Sequence, residues 1–170
     1  VVGNKETDSI AFKMPNVQNS VFEEISIEKF DVGIKLGGVL GYQSNNNRFL
    51  DIYTKNMITC SIYLAGNVGH GQSNANVVAR CRLAGGKYGV VIDVGSENVI
   101  RDCNISGWSQ YGVLVKSDSL LNKIVLNNFE SSIEGTIAGV KFESNAHSNI
   151  CLLYTSDAAD DGESVDLGGR

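Results

Sequence analysis

The stretch NVIRDCNISGWSQYGVLV, residues 98–115, carries the pattern that decides the fold. Its initial asparagine is followed by apolar residues at Ile100, Cys103 and Ile105, and Gly112 is followed by two valines separated by one residue. Apolar residues at alternate positions are typical of a β-strand that buries one face. The stretch therefore predicts two short strands, the first up to Ile105 and the second after the glycine.

The same pattern recurs along the chain in units of variable length. Each unit begins with a polar residue, at Ser20, Asn47, Asn76, Asn98 and Asn122. The first predicted strand contributes three inward columns, which are Phe22, Phe49, Val78, Ile100 and Ile124; Ile25, Ile52, Cys81, Cys103 and Asn127; and Ile27, Thr54, Leu83, Ile105 and Phe129. The second contributes two, which are Ile10, Ile34, Ile62, Val90, Val113 and Val140; and Phe12, Leu36, Leu64, Ile92, Val115 and Phe142.

The column that starts at Ile10 recurs at intervals of 23 to 28 residues. Strands that keep their pattern while the turns vary in length are typical of a coil of stacked rungs. We therefore predict an all-β fold, a parallel β-helix or solenoid of about six rungs that is truncated at both ends. An antiparallel sandwich is the alternative, but it does not predict six copies of one column. Inside such a coil, Asn127 needs a polar partner from its own rung or a neighbouring one.

Two further residue types recur at defined places in the repeat. Glycine precedes four residues of the column that starts at Ile10, and we expect these glycines to supply conformational freedom at a tight corner; they are Gly33, Gly89, Gly112 and Gly139. Cys81 and Cys103 fall in neighbouring rungs of one inward column, where we predict buried thiols rather than a disulfide.

The last twenty residues differ in character from the repeat. Cys151 to Arg170 resembles a translated transposase sequencing adapter, so we expect 1–150 to form the β-helix fragment and 151–170 to be a non-native, disordered tail. We also expect no residue after Ile150 to continue the inward columns. The formal net charge of −5 comes from 19 acids and 14 bases, of which the tail holds five acids and one base. The remaining 14 acids and 13 bases are nearly balanced, which predicts neither a nucleic-acid nor a membrane partner.

The unit pattern, an asparagine with spaced apolar residues followed by Gly-Val or Gly-Ile, resembles the pectate-lyase-like superfamily of right-handed parallel β-helices over about Ile10 to Ile150. Residues 30–37 and 109–115 are most similar to the stems of bacteriophage tailspikes and tail fibres. This resemblance implies a surface that lies along a polysaccharide, a homotrimer in the full-length protein, and a place in the virion tail or outside the cell. Many members also cut the polysaccharide.

Plant-type pectate lyases of this superfamily bind calcium through several aspartates and use an arginine base. This sequence has no matching Asp-rich cluster, so we expect no cofactor, and calcium only if the protein is a lyase of that type. The cysteines and histidines likewise have no spacing that predicts a metal site.

Charged and aromatic residues occupy the outward positions next to the first predicted strand. One outward column contains Glu24, Asp51, Arg80 and Asp102, and the next contains Ser26, Tyr53, Arg82 and Asn104. Asp51 and Asp102 lie two rungs apart, about 9.6 Å on the nominal spacing. Inverting glycosidases separate their two carboxyl groups by roughly 6.5 to 9.5 Å. Asp51 and Asp102 are therefore candidate catalytic residues, with Tyr53, Arg80 and Arg82 as substrate-binding residues; a solvated face of ion pairs is the alternative.

Two long turns and one corner supply further candidates. The turns 37–46 and 65–75 fall at the same corner of successive rungs and carry Tyr42, Asn67 and His70. Trp108 and Tyr111 lie in the corner segment before the second strand, where an aromatic face can stack on a sugar ring. The alternative for Trp108 is a cover over the edge of the core.

The sequence thus favours a tailspike-like or tail-fibre-like β-helix that binds a bacterial surface polysaccharide. It does not decide whether the protein also depolymerises that polysaccharide. Two alternatives remain. One is a secreted polysaccharide lyase or hydrolase of the pectate-lyase type, and the other is a stalk or adhesin without catalysis. An enzyme of this fold would be a polysaccharide depolymerase.

Overall fold

The computed structural model describes residues 1–68, 71–130 and 138–152, and every regular element in these ranges is a β-strand. The first three rungs are β1 (Ile10–Met14), β2 (Val21–Glu23) and β3 (Ser26–Glu28); β4 (Val32–Gly37), β5 (Arg48–Leu50) and β6 (Tyr53–Met57); and β7 (Cys60–Ala65), β8 (Val77–Ala79) and β9 (Arg82–Gly85). The others are β10 (Tyr88–Asp93), β11 (Val99–Arg101) and β12 (Asn104–Ser106); β13 (Tyr111–Val115), β14 (Lys123–Val125) and β15 (Asn128–Glu130); and β16 (Ala138–Phe142) with β17 (Ile150–Leu152). Within the described ranges, no helix is long and apolar enough to cross a membrane.

Three parallel sheets run along the coil. Sheet A has the order β1-β4-β7-β10-β13-β16, sheet B the order β2-β5-β8-β11-β14-β17, and sheet C the order β3-β6-β9-β12-β15. Every strand pairs with the equivalent strand of the next rung, so the chain is a parallel β-helix with five full turns and part of a sixth. The predicted fold class is confirmed.

Each rung contains three strands, and the prediction of two was wrong. The predicted first strand is broken at one residue per rung that adopts a positive φ of 55° to 56°, and these residues are Glu24, Asp51, Arg80, Asp102 and Leu126. A left-handed residue turns the chain between sheet B and sheet C. This turn explains the step of three residues between the inward positions Phe22 and Ile25.

The register of the first rung also differs from the prediction. Phe12 pairs with Ile34 and Met14 with Leu36, whereas Ile10 pairs with Val32 on the outer face. A shift by two residues keeps the same face inward, so apolar alternation alone does not distinguish the two registers. Hydrogen bonds to Ser9 hold the observed one: its carbonyl accepts from the Val32 amide at 3.0 Å, and its hydroxyl accepts from the Asp31 amide at 3.0 Å.

Four predicted corner glycines serve a different purpose. None of Gly33, Gly89, Gly112 and Gly139 has a positive φ. A Cβ atom on Gly89 would lie 2.3 Å from the side chain of Ile105 and 2.7 Å from the carbonyl oxygen of Gly112. These positions are small because sheets A and C approach closely there, so the expected conformational role was wrong.

A ladder of asparagines, buried except for its last member Asn149, stands at the corner between sheets A and B. The Oδ1 atom of Asn98 accepts from both the backbone amide and the Nδ2 of Asn76, each at 3.0 Å, and its own Nδ2 donates to the carbonyl of Ser73 at 2.8 Å. The same bonds recur along the ladder, whose members are Asn47, Asn76, Asn98, Asn122 and Asn149. Four of these residues were predicted to begin the units, but their hydrogen-bonding role was not predicted.

Polar and sulfur groups inside the coil have partners. The Oδ1 of Asn127 accepts from the Cys103 amide at 3.0 Å, and its Nδ2 donates to the Ile100 carbonyl at 2.9 Å, as the sequence analysis required. Cys81 and Cys103 are buried free thiols, as predicted. A hydrogen bond with Cys81, together with burial, raises the pKa of the Cys103 thiol.

The coil continues slightly beyond its predicted end. Strand β17 includes Cys151 and Leu152, and Cys151 pairs with Ile124 and packs against the core. The expectation that no residue after Ile150 continues the inward columns was therefore wrong. Residues 153–170 lie outside the described residues, and the adapter origin of 151–170 stays a prediction.

The ladder predicts an unequal response to two asparagine substitutions. Asn98→Ala removes the acceptor of two bonds and leaves the buried Asn76 amide and Ser73 carbonyl unsatisfied, so we expect the free energy of unfolding to fall by about 3 kcal/mol or more. The control is Asn128→Ala, because the side chain of the exposed Asn128 donates, among the described residues, to the exposed Glu130 at 2.5 Å. Its cost should stay within about 0.5 kcal/mol in the same urea titration. Equal losses would contradict the ladder.

Candidate functional site

The acidic residues predicted to be catalytic lie at the left-handed corner between sheets B and C. Arg80 makes a bidentate ion pair with Asp51, with Nε 3.1 Å from Oδ1 and Nη2 2.5 Å from Oδ2. The hydrogen bond and the charge of Asp51 raise the pKa of the Arg80 guanidinium. Asp102 pairs instead with Arg101, with Nη1 2.5 Å from Oδ2. Each of the two carboxylates thus has its own guanidinium.

Tyr53 and Arg82 lie beside this corner on the outer face of sheet C. They are paired neighbours in β6 and β9, and both are exposed. The structure therefore brings Tyr53, Arg82, Arg80 and Asp51 into one exposed strip, which we call the corner strip. Exposed ion pairs of this kind contribute little to stability. The catalytic and binding roles assigned to the strip stay predictions.

Trp108 does not face solvent. Its side chain is only 4% exposed and packs in the core cluster, and its Nε1 donates to the Ile105 carbonyl at 3.3 Å. It offers no face to a sugar ring, so its assignment as a substrate-binding residue was wrong, and the alternative of a cover over the core is the observed one. A tryptophan at a corner gives no sequence signal that separates the two.

Tyr111 lies on the outer face of sheet A, directly over its paired neighbour Tyr88. Their rings are nearly parallel, with centroids 6.2 Å apart and an interplanar angle of 9°. The Tyr88 hydroxyl donates to Oε1 of Gln110 at 2.7 Å. The two phenol rings therefore form a short stack across adjacent rungs.

A third tyrosine and a packed apolar layer extend this surface. Tyr63 occupies the next outward column, where it pairs with Val91, and Val91 pairs with Leu114. Val91 and Leu114 belong to an apolar cluster that is separate from the main core. We call Tyr63, Tyr88, Val91, Tyr111 and Leu114 the tyrosine face. The Nζ of Lys35 lies 5.4 Å from the centroid of the Tyr63 ring.

Charged residues line the end of the tyrosine face. The residues that follow the paired positions Ile92, Val115 and Phe142 in successive rungs are Asp93, Lys116 and Glu143, which we call the charged edge. Oδ2 of Asp93 accepts from the Tyr63 hydroxyl at 2.5 Å and lies 2.8 Å from the Lys116 Nζ. Burial, followed by the hydrogen bond to Asp93, raises the pKa of the Tyr63 hydroxyl. Oε2 of Glu143 accepts from the amide and the hydroxyl of Ser117 at 3.0 and 3.3 Å.

The two long turns leave the coil at this same edge. Gly37 pairs with Ala65 and Ala65 pairs with Asp93, so the turns after β4 and β7 begin in the rungs next to the charged edge. The turns touch each other, since a Cβ on Gly71 would lie 2.2 Å from the Tyr42 carbonyl oxygen. In the second turn the Asn67 amide donates to the Gly71 carbonyl at 2.7 Å. His70 lies outside the described residues.

The described parts of the chain contain no group of three or more His, Cys, Asp or Glu residues placed to hold a metal ion. A family model for the right-handed beta helix region matches residues 5–129. The chain belongs to the right-handed beta helix family. No curated protein and no solved structure matches it. Membership of this family establishes a right-handed coil but does not identify a ligand. The function must therefore be inferred from the surface of this β-helix.

Five residues of this surface were not predicted from the sequence, and they are Tyr63, Tyr88, Asp93, Lys116 and Glu143. The prediction used the inward columns of sheet A, whereas these residues lie at outward positions between or beside them. The outward column Lys35, Tyr63, Val91, Leu114 and Lys141 has the same register as the inward ones, and this alignment was the available signal.

The raised pKa of Tyr63 predicts a loss of stability at alkaline pH. The folded chain keeps this phenolic proton to a higher pH than the unfolded chain, whose tyrosines titrate near pH ~10. Above that value the unfolded state binds fewer protons, so the free energy of unfolding falls as the pH rises. In Tyr63→Phe we expect a shallower fall above pH ~10, measured by urea unfolding at several pH values.

Tyr53→Phe is the matched control for this titration, because Tyr53 is exposed on sheet C and should leave the wild-type slope unchanged. Identical slopes for wild type and Tyr63→Phe would contradict the partly buried hydrogen bond between Tyr63 and Asp93.

Proposed function

We propose that this β-helix binds a bacterial surface polysaccharide along the tyrosine face. The observation that carries the proposal is the set of three partly exposed tyrosines, Tyr63, Tyr88 and Tyr111, in successive rungs of two adjacent outward columns. Tyrosine offers a flat apolar ring with a polar edge, which suits the apolar face and hydroxyl rim of a sugar. The rings of Tyr88 and Tyr111 follow the coil axis, and Tyr63 continues them in the neighbouring column, so an extended polymer could contact all three.

The surroundings of the tyrosine face support a polysaccharide over a protein partner. Lys35 stands beside the Tyr63 ring, and the charged edge supplies hydrogen-bond donors and acceptors at its margin. The two long turns begin next to that margin, where they can form one side of a groove. Binding groups on turns held by a rigid scaffold are a common arrangement.

A tailspike or tail-fibre protein is the setting that fits this proposal, with a homotrimeric full-length protein in the virion tail. A secreted polysaccharide lyase or hydrolase of the pectate-lyase type would use the same face. A stalk or adhesin without glycan binding is the contrasting candidate, and it requires no aromatic outer surface. These candidates differ in their response to the substitutions below.

Tyr88→Ala and Tyr111→Ala test the face directly. Each removes one ring of the stack, and an aromatic contact contributes about 0.5 to 1.5 kcal/mol beyond burial, so we expect the Kd to rise about tenfold. The chain is screened against purified bacterial capsular and O-antigen polysaccharides, and the Kd for a retained one is measured by calorimetry. Thermal unfolding checks that each variant is folded.

Tyr53→Ala is the matched control, since it removes an exposed tyrosine from the corner strip on sheet C. We expect it to leave the Kd unchanged. Loss of binding with Tyr53→Ala but not with Tyr88→Ala and Tyr111→Ala would place the ligand on the corner strip instead. Absence of binding to every polysaccharide would contradict the proposed function and favour the stalk.

A further inference from the structure

We propose that Cys81 and Cys103 are a redox pair, which hydrogen peroxide oxidises to a disulfide between the third and fourth rungs. The structure shows the reduced state, in which both residues are free thiols. Both lie inside the coil and not on the tyrosine face, so the inference is independent of polysaccharide binding. Oxidation changes the covalent structure of the coil, and a thiol reductant reverses it.

The stacking of the rungs places the two cysteines side by side. Ala79 pairs with Arg101 two residues before them. Arg82 pairs with Asn104 directly after them, so the cysteines hold equivalent positions in neighbouring rungs. The nominal strand spacing separates their Cα atoms by about 4.8 Å. Disulfides span Cα distances of about 4.4 to 6.8 Å, so the bond can form without separating the rungs.

The two thiols already contact each other. They share a hydrogen bond, which lowers the pKa of the Cys81 thiol and raises that of Cys103. Each sulfur also lies near the carbonyl oxygen two residues earlier, at 3.3 Å from Ala79 for Cys81 and at 3.2 Å from Arg101 for Cys103. The thiolate is the nucleophilic form of cysteine. Cys81 is therefore the attacking sulfur, and Cys103 is the one that completes the disulfide.

The other two cysteines of the chain lie elsewhere in the coil, and all four are among the described residues. Cys60 belongs to the apolar cluster of the tyrosine face. Cys151 pairs with Ile124 in a different inward column. The column of the redox pair continues with Ile52 on one side and Asn127 on the other. Each thiol of the pair thus has one cysteine neighbour.

The redox pair lies just beneath the surface. Cys81 and Cys103 are only 1% and 2% exposed. Each directly follows an exposed residue with a positive φ, and these residues are Arg80 and Asp102. The corner that covers the sulfurs is therefore one residue wide. A small oxidant needs only a local opening of this corner to reach them.

The oxidation takes two steps. The Cys81 sulfur attacks one oxygen of hydrogen peroxide, the bond between the oxygens breaks, and a sulfenic acid and one water form. The Cys103 sulfur then attacks the sulfur of the sulfenic acid, which loses its oxygen as a second water. Two thiols and one peroxide thus give one disulfide and two waters. The two sulfurs lose two electrons, and the peroxide gains them.

The test treats the folded whole chain with hydrogen peroxide and then blocks the remaining thiols under denaturing conditions. Trypsin cuts after Arg80, Arg82 and Arg101, so the expected product is peptide 81–82 joined to peptide 102–116. Mass spectrometry should detect this product, and a thiol reductant should separate it. We also expect the midpoint of thermal unfolding to rise by about 5 °C or more, because the bond closes a loop in the unfolded chain.

Cys60→Ala is the matched control, because Cys60 is an equally buried thiol outside the pair and its loss should leave the joined product unchanged. Cys103→Ala should stop at a sulfenic acid on Cys81, which dimedone traps. Cys81→Ala should leave Cys103 unreacted. Because the wild-type product is read directly, the proposal stays testable if an alanine variant fails to fold.

Three results would overturn the redox pair. The first is a wild-type chain in which both thiols remain reduced after peroxide treatment. The second is a disulfide that joins either of them to Cys60, to Cys151 or to another copy of the chain. The third is a joined product that still forms in Cys81→Ala or Cys103→Ala.

Discussion

Backbone hydrogen bonding at the buried corner between sheets A and B is the constraint on which the rest of this structure depends. The chain must turn there at every rung, so its amides cannot all pair within a sheet. Buried amides without partners are costly. The asparagine ladder solves this problem because the amide and the side chain of Asn76 both bond Oδ1 of Asn98, and each neighbouring rung repeats the arrangement. The alignment of each rung with the next therefore depends on one residue type, asparagine, at this corner.

A fixed register has consequences for the outer surface as well as for the core. Because equivalent residues stack, one outward position becomes a column along the coil, and neighbouring columns become a continuous face. The stacked rings of Tyr88 and Tyr111 and the contact of Asp93 with Lys116 both arise in this way. The surface of this β-helix is thus assembled one residue per rung, and insertions in the turns do not disturb it.

Two outward columns contain aspartates, one at the corner between sheets B and C and one at the end of sheet A. Similar residues have different surroundings in these two positions along the rung. Asp51 and Asp102 lie at a left-handed corner, where the chain is convex and each carboxylate meets an arginine in solvent. Asp93 lies at the end of a strand, beside a partly buried tyrosine and the start of the long turns. Sequence spacing is similar in both columns, since each member falls one rung after the last. Their surroundings are what differ.

Periodic apolar residues were sufficient to predict the coil, its inward columns after the first rung and the need of Asn127 for a partner. These features depend on residue type and spacing, which the sequence contains directly. The third sheet, the shifted first rung, the reason for Gly89 and the burial of Trp108 were not predictable in this way. Each depends on how closely one part of a rung approaches another, and that distance is set only when all rungs stack. The sequence by itself therefore determined that the chain coils and most of the residues that enter the core. The tertiary structure alone decided which outward residues meet, because their neighbours belong to other rungs.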